Sequence, residues 1–173
     1  MIELRLAKIA MVASLALFAF LVTFNNITDY DSNFAFVRHV LSMDTTFPGN
    51  AIMWRAIAIQ GLWHAAYWLI IGGEALTCAA YTIGAVALIG SLRAGGAAFN
   101  RAKRCVFIAT ALGFLVWFFG FMVIGGEWFA MWQSQTWNGQ PAAFRFYAAL
   151  LGVAIFVALE DRDLIDTPGT NTR

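Results

Sequence analysis

Apolar runs long enough to cross a bilayer recur four times along the chain, separated by polar or mixed connections. Ile9 to Thr28 carries no charge, and Cys105 to Gly126 carries none either. Ala56 to Leu92 holds a single carboxylate, Glu74, while the uncharged stretch Phe146 to Leu159 is shorter and is extended by Pro141–Arg145. A hydrocarbon core about 30 Å thick is crossed by roughly 20 residues of helix. The runs are continuous rather than alternating, and rich in Ala and Leu, which excludes barrel strands. The pattern predicts an all-α integral membrane protein with four transmembrane helices, at residues 5–25, 64–92, 104–127 and 141–160. These form one domain over residues 1–162, followed by a polar tail, 163–173, with the chain after Glu160 read as a solvated end.

The connection between the first two spans, residues 26–62, is too apolar for a solvated loop. Phe34, Phe36, Val37, Val40, Leu41 and Met43 crowd a short helical stretch that Arg38, His39 and Ser42 interrupt on one side. Thr45 to Asn50 then reads as a turn, with Asn50 as an N-cap for the next helix. The expected result is a layer of short amphipathic helices lying over the spans or along the membrane surface.

Composition agrees with the pattern. The 173 residues are 61% hydrophobic and only 12% charged, with a mean hydropathy of +0.70. A soluble domain carries roughly 25% charged residues. Aromatic content (16 Phe, 7 Trp, 4 Tyr) excludes disorder, two cysteines exclude a disulfide scaffold, and a net charge of +1 offers nothing to nucleic acid. The few charges set an expected orientation. Arg93, Arg101, Lys103 and Arg104 share one connection with no acid, whereas residues 25–61 set Arg38 and Arg55 against Asp29, Asp31 and Asp44. The positive-inside rule then places both termini inside. Arg5 and Lys8 precede the first span, but no small-x-small cleavage site follows it, so that span is read as an uncleaved anchor. Six tryptophans (Trp54, Trp63, Trp68, Trp128, Trp132 and Trp137) fall on the predicted outer side, and Trp117 lies within the third span. They read as an interfacial belt or as a docking layer, with Trp54, Trp132 and Trp137 the candidate anchors.

Glu74 is the first candidate for chemistry. It lies roughly 10–16 Å along its span at 1.5 Å per residue. An ionised carboxylate there is expensive, so it must be protonated, paired or wet. Tyr67 and Tyr81 lie seven residues to either side on the same face and are candidate hydrogen-bond partners, with Cys78 one turn on. A second line on this helix, Gly73, Thr77, Ala80, Gly84, Ala87 and Ser91, is small throughout and suits close helix packing. Glu127 and Arg145 lie near the outer ends of the third and fourth spans, where a Glu127–Arg145 or Glu74–Arg145 pair is expected.

The tetrapeptide Ile-Gly-Gly-Glu occurs at Ile71–Glu74 and again at Ile124–Glu127, on helices of opposite direction, and reads as coincidence rather than as a repeat. His39 and His64 are read as satisfied interfacial histidines rather than haem ligands, and Asn26-Ile27-Thr28 matches a glycosylation acceptor that abuts the membrane. No metal, phosphate-loop, nucleophile-elbow or dinucleotide motif is legible, so no cofactor and no metal is expected.

Several stretches carry a family resemblance. Phe24-Asn25-Asn26-Ile27-Thr28-Asp29-Tyr30 with Asn33-Phe34, and Val40-Leu41-Ser42-Met43-Asp44-Thr45-Thr46-Phe47, are the longest. With Trp54-Arg55, Glu74 and the run from Trp128 to Gln140, they resemble the bacterial family of predicted small integral membrane proteins, a domain of unknown function. The resemblance covers nearly the whole chain up to the tail. It implies a bacterial inner-membrane location and four helices, and it supplies no reaction and no catalytic residues.

The expected function is non-enzymatic: an accessory or stabilising subunit of a larger inner-membrane complex, whether respiratory, photosynthetic or transport. Its partners would be membrane lipid and other membrane-protein subunits or further copies of the chain. The alternative is a small oligomeric transporter or channel that uses Glu74 for proton or cation coupling.

Overall fold

The computed structural model describes residues 2–164. Four helices are long and apolar enough to cross a membrane: Ile2–Thr28 (α1), Gln60–Gly90 (α3), Gly96–Trp128 and Gln140–Ala158 (α6). The third is composite. A short α4 (Gly96–Ala102) leads into α5 (Arg104–Phe114), which continues without a break as a π-wound segment, Leu115–Trp128. No strand occurs among the described residues. Between 17% and 33% of each apolar window is buried inside the protein, so most of every span faces outward. Leu17, Leu69, Val86 and Ile155 are exposed in this way. Helices apolar all round are matched to lipid rather than to water.

The helix α3 is the centre of the bundle, packed chiefly on α1 and α5, while α6 lies against the π-wound segment and α5. Its small residues set the approach to α5. A Cβ added at Gly73 would lie 2.6 Å from Val116 Cγ2, and one at Gly84 would lie 2.9 Å from Val106 Cγ2. Gly113 answers from the facing helix, where an added Cβ would meet Leu150 Cδ1 at 2.5 Å and Thr77 Cγ2 at 3.3 Å. Ala80, Ala87 and Ser91, half-buried, continue the same line. Between helices in lipid, dispersion and close backbone approach replace the hydrophobic drive, so this small stripe is structural. Trp117 closes the middle of the bundle, with its ring 5.7 Å from Phe18 and 5.8 Å from Phe146.

The layer between spans one and two is present. Tyr30–Ser42 (α2) buries Val37, Val40 and Leu41 in a cluster with Tyr67, Ile71, Phe129, Ala130 and Met131. The helix ends at buried Met43, whose left-handed backbone (φ 54°) turns its N–H onto Val40 O. Asn50 caps no long helix. Its Oδ1 accepts from Ile52 N at 3.1 Å, closing a turn ahead of the one-turn 3-10 segment Met53–Arg55, and α3 begins only at Gln60.

The opposite end, where α1 starts and α6 finishes, differs from the sequence reading. The chain after Glu160 is not simply a solvated tail, because Asp161 is buried. Its Oδ2 lies 2.6 Å from both Lys8 Nζ and Lys103 Nζ, and both ammonium groups are buried as well. Both lysines also donate to Leu159 O, and the Asn100 side chain closes a reciprocal pair with the Asp161 backbone. Arg5, also buried, donates to the carbonyls of Leu92, Ala94 and Arg162. An L side chain at Gly96 would collide with the Asp161 carbonyl. Basic residues read as orientation signals therefore also staple α1, α4 and α5 to the end of α6. Residues 165–173 of the predicted tail lie outside the described residues.

Removing one partner of a buried ion cluster strands the others and costs about 3–5 kcal/mol. Asp161→Asn should therefore lower the thermal unfolding midpoint in detergent far more than Asp163→Asn. Burial alone would push the Asp161 carboxyl up, but Lys103 and Lys8 hold it below the ordinary carboxylate range. A depressed folded-state pKa gives stability that is complete above the unfolded value and lost as pH falls through the folded one. The wild-type midpoint should thus fall steeply below about pH 4, and that acid limb should flatten in Asp161→Asn.

Candidate functional site

Near the α2 end of the bundle, three helices bring their polar residues to one place. In α3, His64, Tyr67, Ile71 and Glu74 follow the 3-4-3 spacing of one helix face. That face meets Asn26, in the last turn of α1, and Tyr30, the first residue of α2. Glu74 is only 2% exposed, and its Oε2 accepts a 2.7 Å hydrogen bond from Asn26 Nδ2. The Tyr67 hydroxyl donates to the other side of the same asparagine, 3.1 Å from its backbone oxygen and 3.2 Å from Oδ1. Asn26 thus spends both ends of its amide inside the bundle, so the glycosylation-type tripeptide is a structural element here.

An aromatic cap closes the site. His64 stacks on Phe34 with centroids 4.0 Å apart, and its Nδ1 lies 2.8 Å from the Tyr30 hydroxyl. Burial, with Asp31 nearby, pushes the Tyr30 phenol up, so it keeps its proton to share with the ring nitrogen. The Tyr30 ring also packs on Tyr67 and Trp68, at 4.7 and 5.6 Å.

Other candidates fall differently. Neither predicted tyrosine bonds Glu74: Tyr67 reaches Asn26 instead, and Tyr81 pairs with Thr110 on α5 at 3.0 Å. Cys78 turns to Ala16 O at 3.7 Å. Glu127 and Arg145 are both exposed, and among the described residues no ion pair joins Arg145 to Glu127 or to Glu74. His39 stacks on Trp137 at 4.6 Å and pairs with Asp44, so the two histidines serve separate contacts. No group of three metal-ligating side chains occurs among the described residues.

The aromatic layer above the site is tied down by polar bonds. Gln133 Oε1 accepts from Phe47 N and Asn50 Nδ2, both at 3.0 Å, and Thr45 Oγ1 donates to Ser134 Oγ at 2.9 Å. Arg55 lies between the indoles of Trp54 and Trp128, its Cζ 5.3 and 4.6 Å from the ring centres, and donates to Trp128 O at 3.2 Å. These bonds join the two loops of the α2 end across more than 70 residues of sequence. Trp132 meets Phe47 edge-on at 5.7 Å.

A buried acceptor that loses its only donor costs about 1–3 kcal/mol. Asn26→Ala should destabilise by that order in equilibrium unfolding in detergent. Glu74→Gln keeps a carbonyl oxygen to accept from Asn26 and should stay near wild type. Equal losses in the two variants would show that the Asn26–Glu74 bond does not organise this end of the bundle.

The family of predicted small integral membrane proteins (DUF2165) matches residues 4–160. No curated protein and no solved structure matches the chain. The matched stretch takes in all four spans, the α2 layer, Asn26 and Glu74, and ends just before Asp161. The chain belongs to this family of small integral membrane proteins.

Proposed function

We propose that this membrane protein is a non-enzymatic accessory or stabilising subunit of a larger assembly in the bacterial inner membrane, engaged through the aromatic layer at its α2 end. The observation that carries this reading is a set of large rings that are exposed yet fixed. Trp54 is 72% and Trp132 48% exposed, while the loops that hold them are cross-bonded by Gln133, Thr45 and Arg55. Rings already ordered lose little conformational freedom on docking, and tryptophan dominates the energetics of interfaces. An interfacial belt would populate both ends of the bundle. Here six of the seven tryptophans lie at one end, with Trp137 on the inner side of the layer against His39 and Phe36. The basic connection between spans two and three supports an outer position for that end, by the positive-inside rule.

Native electrophoresis after mild solubilisation, at chromosomal expression level, should place the chain in a band well above its own mass with a reproducible membrane-protein companion. The double variant Trp54→Ala, Trp132→Ala should run alone while keeping its unfolding midpoint. A wild-type chain that runs alone overturns the reading.

A second reading rests on Glu74, a buried carboxyl whose hydrogen-bond partner among the described residues is the neutral Asn26 rather than a cation. Intramembrane carboxyls without a counter-charge mark ion and proton paths. On this reading an oligomer couples flux to Glu74, and Glu74→Gln abolishes pH-dependent flux into liposomes. Wild-type flux in that variant rules the role out.

A further inference from the structure

One cavity is not lined by Glu74. It is a crevice of about 350 Å³ between α3 and the third span, roofed by α2. Ala66, Leu69, Ile70 and Gly73 form one wall, Leu115 and Phe119 face them, and Val40 and Leu41 close the top. Leu69, Leu115 and Phe119 are also among the most exposed side chains of their spans, so the crevice opens sideways, into the hydrocarbon. Its occupant is therefore a hydrocarbon chain rather than a solute from water.

What lies at its α2 end narrows the occupant further. The third-span wall ends at Phe129 and the α2 roof at Leu41, both lining residues. Arg55 donates to the carbonyl next to Phe129, and Ile57, two residues on, donates to Leu41 O at 2.8 Å. The guanidinium thus lies beside the Phe129 end of the crevice, framed by Trp54 and Trp128. No carboxylate pairs with it among the described residues, and its Nε is a buried donor with no partner. Arginine donors match the oxygens of phosphate, and a cation without a counter-ion at the headgroup level favours one.

We propose that the crevice and Arg55 together form a seat for one phospholipid, with an acyl chain between α3 and the π-wound segment and the phosphate at the Arg55 guanidinium. The seat shares Arg55 with the aromatic layer and does not involve Glu74. It also gives the π winding a role: the wide segment forms the wall that an acyl chain lies against.

The test uses the full chain, purified, delipidated and followed by native mass spectrometry with two probes, dioleoyl-phosphatidylglycerol and dioleoylglycerol. The two share their chains and differ in the phosphate. Wild type should retain one phosphatidylglycerol and at least fivefold less diacylglycerol. Arg55→Gln should lose that preference, and Arg55→Lys, which keeps the charge, should retain it. Gly120→Leu tests the chain half. Gly120 lines the crevice, and a Cβ there meets nothing closer than 3.7 Å, so the added side chain fills the crevice without disturbing the helix. It should reduce retention at least fivefold at an unchanged unfolding midpoint; should its midpoint fall, Gly120→Val repeats the measurement with less bulk. Equal retention of the two probes by wild type overturns the phosphate half. Undiminished retention in both crevice-filling variants overturns the seat and leaves only lipid held around the perimeter.

Discussion

In hydrocarbon, every polar group has to find its partner within the protein, because no water is present to supply one. The bundle meets that constraint with two polar knots, one at each end, separated by an apolar middle. At the α2 end Asn26 bridges Glu74 and Tyr67, tying α1 to α3. At the other end Lys8, Lys103 and Asp161 tie α1 and the third span to the end of α6. Between them lie Val12, Leu15, Leu88, Trp117 and Leu150, which fit by shape, with one polar pair, Tyr81 and Thr110, among them. Lipid tails are as apolar as these side chains, so such packing fixes distance more than it fixes register. Register is set by the knots, since a slip of α1 by one residue would carry both Asn26 and Lys8 out of reach of their partners.

That division explains what the sequence discloses and what it conceals. The spans are legible because lipid demands continuous apolar runs, and Glu74 is legible because it breaks one. Its partner is not, because Asn26 lies 48 residues upstream, in a tripeptide that also reads as a modification site. Periodicity correctly put Tyr67 and Tyr81 on the carboxylate's side of the helix. It could not say that Tyr67 would turn to α1 and Tyr81 to α5, since helical spacing describes one helix and not its neighbours. The basic residues misled in another way. Their count carries topology, and that same count hides which of them are buried. Lys8 and Arg104 look alike in sequence, yet Lys8 is enclosed and Arg104 is exposed. Asp161 was hidden by lying in a polar stretch, where a solvated end is the ordinary reading.

The α2 layer shows the converse. Its apolar surplus over the needs of four spans predicted a covered surface, and Val37, Val40 and Leu41 are covered by the bundle itself. The aromatic rings beyond them are not. Polar bonds from Gln133, Ser134 and Arg55 hold those rings in place, although no apolar core lies over them. Rigidity without burial is expensive for a surface with nothing to meet, because ordering side chains has an entropic cost that burial ordinarily offsets. This asymmetry, more than the number of tryptophans, is what the proposed docking role rests on.

The winding of the third span ties the layer to the crevice below it. Two regular helices fit ridge into groove because their side-chain rows share a pitch. Through α5 that fit holds, with Gly84 on Val106 and Thr77 on Gly113. From Leu115 the hydrogen bonds run one residue longer, as Phe129 N to Ile124 O shows at 3.0 Å, and the side-chain rows turn at a different pitch from those of α3. Close contact persists at Gly73 against Val116, and beyond it the rows fall out of step and the two helices part where α2 crosses above them. A gap facing lipid is not left empty by the lipid. The π segment therefore does more than extend a span: beside it the close contact made along α5 gives way to an opening that a hydrocarbon chain can occupy.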